Sequence, residues 1–173
     1  MLSKRRKWSR KWLGVLLLAA PMGSGFAWWS TARSRAADEP IKLAVSLSAR
    51  ELRVIEDGTT VVTYGVAVGR PGHPTPTGTF RTGEIVWNPS WTPPPTKWAA
   101  NKRYQPPGAA SNPMQAVKIY FQAPYYFIHG TNNPGSIGEA ASHGCLRMVP
   151  DDARELARRI ERAGGNVLLT ISN

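Results

Sequence analysis

The sequence predicts a mainly β domain with one helix near its C-terminal end and a long proline-rich lid loop. Three observations predict it. Ile41, Leu43, Val45 and Leu47 alternate with other residues at period two, as a half-buried strand requires, and further β-rich runs follow. Only one segment, from Pro150 to the Gly164-Gly165 pair, carries start, face and stop signals of a helix. Between Asn88 and Pro113 there are seven prolines, two tryptophans and no periodicity, and so long a loop inside a compact domain more often binds or covers something than links.

In chain order, Leu52 and Val54 begin a second strand after Ile41–Leu47. Glu56-Asp57-Gly58 supplies turn chemistry before a third β-rich run, Thr59 to Gly69, so these segments read as a meander. A stretch dense in Gly and Pro, Gly69 to Gly78, precedes a strand predicted over Thr79 to Trp87. Beyond the loop, Val117–Phe121 and Tyr125–His129 are short strands separated by a turn at Ala123-Pro124. The helix has Pro150 at its start, Asp151 and Asp152 in the first turn, Leu156 and Ile160 on one face, and Arg158, Arg159 and Arg162 toward its end. Val167 to Ile171 closes the chain as a strand, and no internal repeat is visible.

The chain has 173 residues, 22 basic against 11 acidic, for a formal charge of +11. That balance raises nucleic acid as a partner. Residues 1–37, however, hold eight of the basic residues and no acid, which leaves the body at 14 against 11, or +3. Nucleic acid therefore drops out, and the small surplus suits an anionic partner. The length supports one domain with its own core, and 42% hydrophobic residues exclude a wholly disordered chain.

Residues 4–11 hold six basic residues, and an apolar run from Trp12 to Ala20 follows before Pro21, Gly23 and Gly25 break it up. This is the layout of a secretory signal. Cleavage after Ala27 and after Ala36 both fit. The competing reading is an uncleaved membrane anchor: the 18 uncharged residues from Trp12 to Trp29 would span about 27 Å as a helix. Either reading puts residues 38–173 outside the inner membrane, in the periplasm or cell envelope, with membrane contact only through the N-terminal segment. Arg5-Arg6 hints weakly at twin-arginine export, and no cysteine near the apolar run invites lipidation.

The single cysteine excludes an intrachain disulfide. A free thiol in an exported protein is a liability unless it is buried or used. Cys145 lies in Ser142-His143-Gly144-Cys145-Leu146-Arg147, and His129 ends an apolar strand with twelve residues between it and Ser142. A glycine beside the cysteine lets backbone approach and frees N–H groups for an oxyanion, and a nearby imidazole can take the thiol proton. A buried structural thiol is the bland alternative.

These residues resemble the L,D-transpeptidase catalytic domain of bacterial cell-wall enzymes, also called the YkuD-like domain, whose signature is a histidine, a variable loop and then Ser/Thr-His-Gly-Cys. The resemblance extends to Thr75-Pro76-Thr77-Gly78-Thr79-Phe80 and to the proline-rich segments around Asn88–Pro94 and Pro106–Pro113, and covers most of residues 41–172. It implies a β-sandwich or barrel-like catalytic domain over residues 38–173, with Cys145 as nucleophile and His129 as base, oriented by the Gly130 carbonyl. Ser142 belongs to the signature, His143 takes a positioning or substrate-contact role, backbone N–H groups of Gly144 and Cys145 form the oxyanion hole, and Arg147 holds a substrate carboxylate. Some members carry asparagine at that last position. The implied reaction is acyl transfer from a tetrapeptide stem of peptidoglycan, with loss of its terminal D-alanine, to a second stem's amine or to a lysine of an outer-membrane lipoprotein. Water as acceptor would make it an L,D-carboxypeptidase, and a non-catalytic wall-binding module is the alternative of another class. No cofactor-binding motif is visible and the chemistry needs no metal; His73, His143 and Cys145 lack the close spacings of a zinc site. His73 reads as a loop residue. Trp87, Trp91 and Trp98 read either as packing for the lid or as a platform for substrate, packing being the commoner fate of tryptophan.

Overall fold

The computed structural model describes residues 41–173, so the leader expected over residues 1–37 lies outside the described residues. Among the described residues no helix is long and apolar enough to cross a membrane.

The alternation at the start of the body becomes β1 (Lys42–Ser46), with Leu43 and Val45 buried. It pairs antiparallel with β2 (Glu51–Glu56), which pairs in turn with β3 (Thr59–Gly65). Asp57 and Gly58 make the hairpin turn, both at positive φ (48° and 77°), which a type I′ connection demands. After β4 (Val68–Gly69), the single strand expected over Thr79–Trp87 is two: β5 (Gly78–Arg81) and β6 (Ile85–Trp87) lie in different sheets. The break at Thr82 has a cause. Its buried hydroxyl donates to the Gly165 carbonyl (2.9 Å) and accepts from Val167 N–H (2.8 Å), holding the chain where it changes sheets.

Beyond the long loop come β7 (Gln115–Gln122), β8 (Tyr126–Gly130), β9 (Ala140–Ser142), β10 (Leu146–Met148), helix α1 (Pro150–Arg162) and β11 (Leu168–Ser172). They complete a five-stranded sheet in the order β3-β2-β1-β11-β5, a four-stranded sheet β10-β8-β7-β6 and a two-stranded pair β4-β9. The mainly β expectation holds, and β9 and β10 add two short strands to those expected from the sequence. Helix α1 buries Ala153, Leu156, Ala157 and Ile160, one face at helical spacing, and packs on β7 and β8. It ends at Gly164 and Gly165, both at positive φ, with Gly165 N–H closing onto Ile160 O (2.9 Å). One apolar core joins both larger sheets and the helix through Leu43, Leu52, Ile119, Ile128, Leu146, Leu156 and Leu169. Each such side chain contributes about 1.5–3 kcal/mol on burial.

The proline-rich loop is folded on itself. Asn112 is fully buried in it, its amide donating to the carbonyls of Pro89 (2.8 Å) and Pro106 (3.1 Å) while its Oδ1 accepts from Met114 N–H (2.8 Å). Prolines bring carbonyls without matching N–H groups, and one asparagine satisfies two of them. A short 3-10 turn over Lys97–Ala99 carries Trp98.

Candidate active site

The site is built where β8 and β10 run parallel, with Arg147 opposite His129 and Leu146 opposite Ile128. Cys145 stands immediately before β10, and the turn that carries it starts from β9, whose Ser142 pairs with Gly69 of β4. The antiparallel bridge Ala67↔Arg147 clamps the other side of β10, with hydrogen bonds of 2.9 and 3.0 Å. Backbone pairing thus brings together three segments far apart in sequence.

His129 is buried on β8, and its Nδ1 lies 2.8 Å from the carbonyl oxygen of Gly130. A carbonyl only accepts, so Nδ1 carries the hydrogen and Nε2 keeps its lone pair. Gly130 is a glycine for reasons of space, since a Cβ there would lie 2.4 Å from Gln115 O and 3.1 Å from Pro150 Cα. Burial, reinforced by the charges of Arg147 and Lys118, pulls the His129 pKa down to about 4 against the opposing pull of the Gly130 carbonyl. The imidazole is neutral at neutral pH.

Cys145 Sγ donates to the Tyr125 carbonyl (3.4 Å). Burial pushes its pKa up to about 11, opposed by the Phe127 backbone and by Arg147 and Lys118. At neutral pH Cys145 is therefore a neutral thiol and His129 a neutral imidazole.

Ser142 fastens the turn, accepting from Gly144 N–H (2.9 Å) and donating to Cys145 O (2.6 Å). The Gly144 N–H, expected to face an oxyanion, is thereby engaged. Gly144 sits at φ 109°, and a Cβ would come within 2.7 Å of the Tyr126 ring, so only glycine fits.

His143 points elsewhere. Its Nε2 lies 2.7 Å from Arg70 Nη2, its ring stacks on Trp98 (3.9 Å between centroids, 15° between planes), and the His73 ring makes a T-shaped contact with it (4.7 Å between centroids, 66° between planes). Because a guanidinium can only donate, Nε2 is the acceptor and cannot serve as a base while that bond stands. Burial, then the Arg70 charge, lowers its pKa to about 4.

Cys145, His129, His143, Ser142 and Arg147 all line one cleft of about 1400 Å³, roofed by the proline-rich loop. Sequence reasoning missed Arg70 and Lys118, which line the same cleft. His73 is in a loop, as the sequence predicts, and it and the proline-rich loop's Trp98 both touch the motif histidine. No periodicity marks Arg70; the signal available was its place just before the Gly72–Phe80 segment.

The YkuD family model, described as an L,D-transpeptidase catalytic domain, matches residues 40–168. The chain is 39% identical over 118 residues to a putative L,D-transpeptidase YkuD of Bacillus licheniformis, an alignment covering 68% of this chain and 59% of that protein. It is 34% identical over 134 residues to the putative L,D-transpeptidase YqjB of Bacillus subtilis, covering 75% and 70%. Among solved structures, L,D-transpeptidase 3 from Mycobacterium tuberculosis shares the fold at a TM-score of 0.62 and 14% identity, over 78% of this chain and 61% of that one. The structure of the transpeptidase LdtMt1 in complex with imipenem does so at 0.60 and 18%, over 77% and 59%.

Proposed function

The chain belongs to the YkuD family of L,D-transpeptidase catalytic domains, and from that premise we propose that it transfers peptidoglycan stem peptides through a thioester on Cys145, with His129 as the base. The observation that carries this reading is the difference between the two motif histidines. The Gly130 carbonyl holds the His129 hydrogen on Nδ1 and leaves Nε2 bare, whereas Arg70 occupies Nε2 of His143.

The thiol of Cys145 attacks the carbonyl of the third, L-configured residue of a tetrapeptide stem, and His129 Nε2 takes the thiol proton. The negative charge that develops on the carbonyl oxygen is met by Cys145 N–H, since Gly144 N–H is bound to Ser142. Collapse breaks the amide bond, His129 returns its proton to the departing D-alanine nitrogen, and a thioester remains. An acceptor amine then attacks the thioester and gives a proton to His129, which hands it to the leaving sulfur, restoring the thiol. Arg147, beside Cys145 on β10, would hold a substrate carboxylate.

The cleft is lined by Arg70, Lys97, Lys102, Arg103, Lys118 and Arg147 and by no Asp or Glu, which favours an anionic second stem over a basic protein segment as acceptor. Work on the wall requires export, for which the basic and apolar leader of residues 1–37 is suited. Incubating the purified protein with tetrapeptide muropeptides tests the reading. Crosslinked dimers, and their loss in Cys145→Ala, are expected. Tripeptide product alone would replace transfer by trimming, and no Cys145-dependent product would leave only a binding module.

A further inference from the structure

We propose that Arg70 anchors a second carboxylate subsite in this cleft, distinct from Arg147, and that His143 and the lid's Trp98 are the residues that hold it in position. The proposal rests on the acyl-donor reading above and names a feature of the donor: a free carboxylate on the part of the stem that stays with the enzyme as the thioester.

Arg70 is fixed at both ends. Its N–H donates to Ser142 O (3.0 Å), tying its backbone to the turn that carries the nucleophile, and its carbonyl accepts from His73 N–H (2.9 Å). At the far end of the side chain, Nη2 donates to His143 Nε2 (2.7 Å). The imidazole that receives this bond stacks on the Trp98 ring and makes a T-shaped contact with the His73 ring. Trp98 is itself backed by Trp91, stacked at 6.5 Å between centroids. A guanidinium on a long flexible stem is thereby given one orientation, which lowers the entropy lost on binding a ligand.

What remains of its fork has no acid to meet. Among the described residues no carboxylate forms an ion pair with Arg70, and none lines the cleft, where Arg70 is exposed. Arg70 and Arg147 also repel each other, which contributes to the lowered pKa of Arg147. Two guanidinium groups sharing an acid-free cleft are a standing cost that an incoming anion relieves. A planar fork with free N–H groups is suited to bidentate recognition of a carboxylate. A purely structural role, bracing His143, would need no such surplus of unpaired cations around it.

The test uses the full chain and two donors that differ only in amidation. One is a tetrapeptide stem with its internal carboxylates free, and the other is the same stem with them amidated; the terminal D-alanine carboxylate is intact in both. Acyl-enzyme formation is followed by intact mass, with kcat and KM for each donor. The wild type is expected to prefer the free-acid donor by about 10- to 100-fold, mainly through KM, the range for a charge-assisted hydrogen-bonded pair. Arg70→Gln should bring the two donors within about threefold of each other, and Arg70→Lys, which keeps the charge and loses the fork, should fall between. Trp98→Ala should raise KM for the free-acid donor, and Trp98→Phe, which can still stack, should restore it. Equal use of both donors by the wild type overturns the subsite while leaving acyl transfer standing. A preference that survives Arg70→Gln, or a variant that slows both donors equally, overturns it as well. No acyl-enzyme from either donor overturns the transferase reading and the subsite together.

Discussion

Acid should weaken this fold through His129, and by an amount the structure sets. The folded imidazole has a pKa of about 4 because it is buried, against an ordinary value of 6.5 in the unfolded chain. Above pH 6.5 neither state binds a proton at this site and the full stability is present. Between pH 6.5 and 4 the unfolded state takes a proton that the folded state refuses, so stability falls as pH falls. Below about pH 4 both states are protonated and nothing more is lost. At about 1.4 kcal/mol for each tenfold separation, the loss is roughly 3 kcal/mol, a large share of the 5–15 kcal/mol typical of a domain. His143 acts in the same direction, but it is only half-buried and solvent screens it. Asp152 acts in the opposite direction, since its raised carboxyl pKa makes the folded state the better proton binder. The assay is urea unfolding at pH 7, 5.5 and 4 for the wild type and for His129→Gln. Groups common to both proteins cancel in the difference, so the wild type should lose about 3 kcal/mol more than the variant across that range. The rate of acyl-enzyme formation supplies a second readout, since a base of pKa about 4 stays in its working form well below pH 6. Parallel pH slopes for the two proteins, or a rate that already halves near pH 6.5, would refute the argument that burial holds His129 neutral.

Two substitutions probe the supports around the site. Gly144→Ala places a methyl group 2.7 Å from the Tyr126 ring at a residue held at φ 109°; a loss of roughly 1–3 kcal/mol in stability and a fall of at least about 100-fold in acyl-enzyme formation are expected. Wild-type rates in that variant would mean that the turn relaxes freely. Thr82→Val keeps shape but removes the hydroxyl that joins Gly165 O and Val167 N–H at the junction of the sheets. Orphaning both groups should cost roughly 2–4 kcal/mol, read from urea midpoints at unchanged slope, with Thr82→Ser recovering most of it; a loss below about 0.5 kcal/mol would show that water replaces the hydroxyl.

The parts of the molecule that are legible in the sequence are those whose signals are local. β1 shows its period over four apolar residues, Asp57-Gly58 shows its turn, and α1 shows its start, face and stop within sixteen residues. β9 and β10 show nothing comparable. Three residues each, they are strands only because β4 and β8 offer backbone partners to them, and three residues are too few to display an alternation. Thr79–Trp87 fails differently: its composition is continuous, and the break comes from a buried hydroxyl whose partners lie more than eighty residues away. The candidate site divides along the same line. The spacing of His129 and Cys145 marks both, and the strand ending at His129 makes the Gly130 carbonyl its natural neighbour. Spacing cannot tell which imidazole keeps a free Nε2, because that depends on Arg70, which reaches His143 through a strand pairing across 73 positions of sequence. Nor can it tell that Trp98 of the lid rests on the motif histidine rather than on a core, since a tryptophan in a proline-rich stretch has no period to declare its face. The residues that decide which histidine can act as the base are thus the ones that only the folded chain assembles, and so the cluster of Arg70, His143 and Trp98, rather than the motif itself, is where donor selectivity should be sought.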